Sequence, residues 1–370
     1  MKSLVLFLMI LAFAFWHYGV HFSVTILAIS FLIFFHELGH FLVARFFGVR
    51  VNTFSVGFGE KIYTKRVGNT DYCLSAIPLG GYVQLKGQDD LDPNTKNYDH
   101  DSYNILSPIK RIAILFAGPF FNLLLAFFLY IAIGFMGVDK LAPNIGTVLP
   151  NSAALSAGLV KDDKILSING VKINEWEDIK RQVSLSPLDL VVQRGDETLN
   201  IILTPKIGES INIFREKVEV PLIGISPNGD IIKVYHSGFS SLSYAFSQTV
   251  EASKLIYKGL EKLIIGAVPL KEMGGIVAMA DITTKASQIN LSVLFLIVAL
   301  ISVNLGVLNL LPLPVLDGGH IVFNLYEMIF RRPVNQRVFN ALSYGSMMFL
   351  FALMAFTIFN DLLRLAGVYE

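Results

Sequence analysis

Apolar residues in this chain fall into long runs rather than into the short alternations of a soluble fold. The runs span roughly Leu4 to Val20, Phe22 to Phe47, Ile112 to Met136, Leu291 to Leu311 and Phe339 to Leu363. Each is near the ~20 residues that a helix needs to cross a bilayer, so the pattern predicts a polytopic α-helical membrane protein. Between the second and third runs the pattern changes. Phe54 to Gly59 and Tyr72 to Leu85 are rich in aromatic and β-branched residues with repeated glycine, and Val67 to Asp71 reads as a turn. That predicts a β-hairpin over 54–85, too short and too polar to span. Gln88 to Ser102 is acidic and turn-rich, as in a solvated loop.

A different texture begins after the third run. Asn144 to Leu149, Lys164 to Asn169, Leu188 to Arg194 and Thr198 to Thr204 read as strands, and Ser152 to Ala157 and Glu175 to Val183 as helices. Short strands around two helices, with Leu222 to Ser226 following, predict a compact α+β module over 141–233 shaped as a small, partly open barrel. Ser240 to Ile265 repeats apolar residues at helical spacing, predicting an amphipathic helix that lies on the membrane surface or packs on the module.

Composition fits a membrane protein with an aqueous insert: of 370 residues, 53% are hydrophobic and 16% charged, with a mean hydropathy of +0.57. A formal charge of +1 gives no electrostatic case for nucleic acid. Cys73 is the only cysteine, which excludes an internal disulfide and a cysteine-rich metal site. Residues 1–21 resemble a secretion signal at first, with Lys2 before an apolar core. No convincing small-x-small cleavage site follows, so they read as an extra, uncleaved membrane helix, with a cleaved signal as the alternative.

Charge between the runs sets an orientation. Arg45, Arg50, Lys61, Lys65, Arg66, Lys110 and Arg111 lie between runs two and three, and Arg331, Arg332 and Arg337 between runs four and five. Positive residues favour the cytoplasm, which places the module on the opposite face, the periplasm of a bacterium.

Candidate chemistry sits at the end of the second run, in His36-Glu37-Leu38-Gly39-His40. Histidines four apart share one helix face and can ligate one zinc ion, while Glu37, one residue around, can act as general base toward water. Imidazole and carboxylate groups are costly in hydrocarbon unless they line a polar cavity. Their placement suggests peptide hydrolysis beside or inside the bilayer. His17 and His21 share the spacing but have no acidic neighbour, and read as interfacial or loop residues. At the matching end of the fourth run, Pro312 and Pro314 cannot continue a helix, and Gly318 and Gly319 permit unusual backbone angles. Asp317 is thereby presented as a candidate third zinc ligand; the alternative is an exposed turn aspartate.

Three motifs in order, His36-Glu37-x-x-His40, Ala117-Gly118-Pro119-x-x-Asn122 and Asn309-x-x-Pro312-x-Pro314-x-x-Asp317-Gly318, resemble the site-2 protease family of intramembrane zinc metalloproteases. The inserted module resembles a PDZ domain, which points to the RseP-type members. The resemblance implies one Zn2+ per chain on His36, His40 and Asp317, with Glu37 as catalytic base. It implies substrate handling by Asn309, Pro312, Pro314 and Gly318, although a helix-packing contact is the other reading of Asn309. The hairpin would be a membrane-reentrant element, including Gly57-Phe58-Gly59, that adds an extended substrate to its edge. Ile223-Gly224-Ile225 is similar to a PDZ peptide-binding loop, in a module that binds a peptide or filters by size.

Expected substrates are single-span proteins of the inner membrane already shortened by a periplasmic protease, such as anti-sigma factors or remnant signal peptides, cut near the cytoplasmic side. The chain departs from the best-known members in carrying one PDZ-like module rather than two. Gly274-Gly275 runs into Ile276 where proline is common, so no role is assigned there. Two other classes fit less well: a non-catalytic PDZ-bearing scaffold would not need Glu37, and a zinc transporter would need ionisable groups along several spans.

Overall fold

The computed structural model describes residues 19–88, 97–212, 214 and 216–367, with Met9, Ala12, Phe15 and Trp16. The expected helix over 1–21 lies almost wholly outside the described residues, as do His17 and the middle of the acidic loop. Two compact units are present, one formed by 1–133 with 238–370 and the other by 134–237.

In the first unit, four helices among the described residues are long and apolar enough to cross a membrane: α1 (Val20–Phe46), α2 (Pro108–Met136), α7 (Leu291–Asn309) and α9 (Gln336–Leu365), whose apolar stretch is Gln336–Arg364. They coincide with four of the five expected runs and fit a polytopic helical membrane protein. Many of their large side chains, such as Leu27, Phe128 and Met348, point outward uncovered, as a lipid-facing surface requires. Leu32, Leu125, Leu294 and Val298 form the apolar core among α1, α2 and α7.

These three helices meet through glycine. An added Cβ at Gly39 would press on the Ala117 carbonyl and reach Phe121 Cδ2 at 3.0 Å, and one at Gly306 would stand 3.0 Å from the Pro119 carbonyl oxygen. Small residues let helix backbones approach where no hydrophobic force drives them together. Pro119 lies inside α2 and cannot donate a backbone hydrogen bond.

The region expected as a hairpin is one, but it is folded over. β1 (Val51–Val67) pairs with β2 (Thr70–Leu85). Each of Thr53, Phe54, Ser55 and Val56 has two partners: Gln84, Val83, Tyr82 and Gly81 on one side, Asp71, Tyr72, Cys73 and Leu74 on the other. Lys61 to Val67 pair with Ser75 back to Thr70. The segments therefore lie side by side in the order 61–67, 70–75, 51–57, 81–85. Gly57 and Gly59 allow the reversal in β1, with φ of +92° and +84°. A two-residue alternation predicts strands but not that both will bend back on themselves. Phe41, Ala44, Val51, Phe54, Leu85 and Ile114 pack the sheet against α1 and α2.

Two elements depart from the expected order. α6 (Ile276–Ile289) packs on α1, where His21 Nδ1 and Ser287 Oγ are 2.9 Å apart, as are Thr25 Oγ1 and Thr284 Oγ1. His21 is thus a helical residue rather than a loop one. α8 (Asp317–Phe330) begins directly after the proline-bearing connection. α5 (Phe239–Ile264) matches the expected amphipathic helix.

The second unit contains short strands, β4 (Ile145–Val148) among them, with α3 (Ala153–Ser156) and α4 (Trp176–Gln182). Its four-stranded sheet runs β6 (Val171–Lys172), β5 (Lys164–Ile168), β7 (Leu188–Arg194), β8 (Glu197–Leu203). Ile145, Leu159, Ile165, Trp176, Leu190 and Val192 are among its core side chains. Four strands and both helices fall where expected. Absent from the expectation were the β3–β12 pair (Val138–Leu141 with Ile231–Val234) and the β9–β10 hairpin (Lys206–Ile211 with Lys217–Leu222). Ile223 is buried in this core, and its carbonyl accepts from the Ala154 amide. Gly224 has φ +84° and leaves no room for a Cβ beside Ser152, and Ile225 opens β11 (Ile225–Pro227).

Candidate metal centre

His36 and His40 are one turn apart on α1, and both direct Nε2 toward the start of α8. His36 Nε2 is 3.2 Å from Asp317 Oδ2, His40 Nε2 is 3.5 Å from the same oxygen, and the two Nε2 atoms are 3.2 Å apart. Zinc bonds of about 2.0–2.1 Å in a tetrahedron require ligand atoms about 3.3 Å from one another. The observed triangle has that size. Two imidazole nitrogens and one carboxylate oxygen also match the donor set of a zinc site that keeps a fourth position for water, so the residues fit one Zn2+.

The neighbourhood is shaped for this triangle. Gly118 on α2 faces both rings: an added Cβ would collide with His40 Nε2 and stand 2.8 Å from His36 Cε1. His40 is oriented from behind by its Nδ1, which donates to the Ile114 carbonyl oxygen at 2.8 Å. His36 Nδ1 lies 3.2 Å from the Asn122 side-chain amide. Ser302 on α7 donates to the Asn122 backbone carbonyl at 2.7 Å, which ties the third helix to the same turn of α2.

Asp317 reaches the site across the expected break in the helix and opens a new one. α7 stops at Asn309, residues 310–316 turn, and Asp317 is the first residue of α8. Gly318 and Gly319 are not there for unusual angles, since neither has positive φ. They are there for space: a Cβ at Gly318 would strike the Leu310 and Leu311 carbonyl oxygens, and one at Gly319 the Leu313 carbonyl. The start of α8 is folded tightly onto its own approach, which holds the carboxylate in position.

A cavity of about 720 Å³ opens on the triangle. Glu37, Asn122, Asn309 and Pro314 border it, and so do Phe58, Gly80, Gly81, Val83 and Leu85 of the sheet. A Cβ at Gly81 would lie 3.5 Å from Glu37 Cγ, so the outer strand 81–85 runs past the glutamate. Phe58 stacks on Tyr82 at 6.4 Å between ring centroids and fills the space left by Gly80. Gly57 and Gly59 shape the bend rather than the cavity wall, and Pro312 lies in the connection. Ile223, Gly224 and Ile225 belong to the other unit.

Several neighbours carried no assigned part in the sequence reading. Gly39 and Gly118 set how close α2 comes. Arg111 of α2 and Glu327 of α8 form a 2.6 Å ion pair on the cavity wall. Both glycines lie inside motifs quoted from the sequence, but the motifs did not say that they are points of helix contact.

Known proteins share this sequence pattern along nearly its whole length. Residues 24–353 match the model of peptidase family M50. A protein of Campylobacter jejuni subsp. jejuni, provisionally named a zinc metalloprotease, is 55% identical over 367 residues, covering 99% of this chain and all of that one. One of Helicobacter pylori strain J99 with the same designation is 40% identical, covering 93% of this chain and 99% of its own. One of Agrobacterium fabrum, again so designated, is 32% identical, with 92% and 95% covered.

Proposed function

We propose that this chain, which belongs to peptidase family M50 and is a zinc metalloprotease of the site-2 protease type, cleaves the membrane-spanning segments of single-span proteins. The observation that carries the proposal is the position of the His36, His40 and Asp317 triangle, held by α1 and α8 and flanked by α2, in a unit with four helices long and apolar enough to cross a membrane among the described residues. A soluble protease has no use for that setting.

Zn2+ held by His36, His40 and Asp317 would supply Lewis acidity toward a carbonyl oxygen and a water at the site. The chain's own groups do the rest. Glu37 takes a proton from the water whose oxygen attacks the carbonyl carbon, and passes it to the amine nitrogen as the C–N bond breaks. Strand 81–85 has no further strand on its outer side among the described residues, and it borders the cavity beside Glu37. An extended substrate adds to that edge through backbone hydrogen bonds. The substrate must unwind first, because helical carbonyls are engaged in bonds to the amide four residues on. Phe58, Asn309 and Pro314 line its path, and the folded sheet dips into the membrane to present the edge.

Positive residues in the connections favour an orientation with the site near the cytoplasmic side of the inner membrane and the second unit as a periplasmic PDZ-like module. There it excludes substrates whose outer domain has not been removed by another protease. Anti-sigma factors and remnant signal peptides suit this architecture. The test is reconstitution of the full chain in lipid with a single-span substrate: wild type cuts within the span, whereas Glu37→Gln binds zinc and does not cut. Full activity in Glu37→Gln would rule out the base, and cleavage only outside the bilayer would rule out the substrate class.

A further inference from the structure

The two zinc-ligating imidazoles are supported differently from behind. His40 Nδ1 has a backbone partner, the Ile114 carbonyl oxygen at 2.8 Å. His36 Nδ1 instead meets the side chain of Asn122, 3.2 Å away. Asn122 is fully buried, and its Oδ1 has no hydrogen-bond partner. A buried amide oxygen left without a partner costs free energy and calls for an explanation.

The explanation lies in the tautomer that a metal demands. With the Nε2 lone pair on the ion, a neutral imidazole carries its hydrogen on Nδ1 and needs an acceptor there. The amide nitrogen of Asn122 is a donor and cannot serve. A half-turn of the side-chain amide exchanges its oxygen and nitrogen within the same volume, bringing Oδ1 to His36 Nδ1 and ending its isolation. The turn of α2 that holds Asn122 is fixed from the far side by Ser302, so the amide is held at the ring.

We infer that Asn122 is a positioning residue of the metal centre, whose side-chain oxygen accepts from His36 Nδ1 and locks that imidazole in the zinc-binding tautomer. The Gly118 carbonyl also faces the His36 ring. It stands to His36 as the Ile114 carbonyl of the same helix stands to His40, and the experiment separates the two acceptors.

The inference rests on the zinc site itself, so the readout is zinc affinity of the full-length protein in detergent, measured by chelator competition. Asn122→Leu keeps the volume and removes the acceptor; zinc affinity should fall about 10- to 100-fold. Asn122→Asp keeps an acceptor and loses the donor; affinity should stay at or above the wild-type value. A carboxylate can only accept, so a tenfold or greater loss in Asn122→Asp would overturn the inference even if Asn122→Leu does not fold. Unchanged affinity in Asn122→Leu would also overturn it, leaving Gly118 as the sufficient acceptor. Wild type and His36→Ala calibrate the site: if wild type holds no zinc, the metal centre and the inference fall together, whereas zinc in wild type lost in His36→Ala isolates any failure to Asn122.

Discussion

Gly39 packs directly against the Ala117 carbonyl of α2: a side-chain carbon there would meet that oxygen first and stand 2.8 Å from the carbonyl carbon. The residue between the two histidines thus sets the distance between α1 and α2, and through it the approach of Gly118 to both imidazoles. Gly39→Ala is expected to cost about 1–3 kcal/mol of stability through overpacking, and to weaken zinc binding about tenfold or more by displacing the rings. Thermal melting and chelator competition on one preparation check both. Unaltered values would show that the interface yields without cost.

Asp317 supplies the only carboxylate oxygen of the triangle. Asp317→Ala should lower zinc affinity by more than about 100-fold, beyond what a group behind a ligand contributes. The folded state should survive, since the turn before α8 is held by backbone packing at Gly318 and Gly319. Metal content and circular dichroism of the same sample give the answer; zinc retained at wild-type stoichiometry would remove Asp317 from the ligand set.

Asp361, 2% exposed near the end of α9, accepts from the amides of Gly275 and Ala278 at 3.0 Å and so closes the start of α6. Gly275 is glycine because a Cβ would lie 2.7 Å from Asp361 Oδ2. Asp361→Ala removes this cap and should cost about 1–2 kcal/mol. Faster hydrogen exchange confined to the first turn of α6 is the expected signature. Exchange spread over all the spans would point to a different role.

Acid should loosen the second unit through Asp163. Burial raises the pKa of this carboxyl, but two 2.8 Å hydrogen bonds from Arg194 and one from the Val160 amide outweigh it, so it sits below the usual carboxylate range. A depressed folded pKa contributes stability that is complete above the unfolded value, about 3.9, and is lost as pH falls through the folded value. Exchange protection of β5 and β7 should therefore hold down to about pH 4 and decline below it. Asp163→Asn should flatten that decline and cost about 2 kcal/mol at neutral pH; an unchanged acid profile would shift the effect to another group.

Much of this architecture was legible because it is written in local periods. Runs of about 20 apolar residues give spans wherever they occur, and the alternation and turn residues of 144–204 give strands and short helices close to the observed bounds. α6 was missed because its Thr283, Thr284 and Ser287 look polar in isolation, and Thr284 and Ser287 meet their partners only on α1. The β3–β12 pair was missed because four-residue strands far apart in sequence carry no signal until they meet.

By itself, the amino-acid order determined that four described helices are apolar enough to span, that His36 and His40 share a face, and that the chain must break after Asn309. Each follows from the geometry of a single helix or from the chemistry of proline. Tertiary structure alone decided that Asp317 meets those imidazoles, that the hairpin folds until strand 81–85 passes Glu37, and that Gly39, Gly118 and Gly306 are contact points rather than weaknesses. Convergence of distant segments depends on which backbones can touch, and that is a property of three packed helices which no one of them encodes.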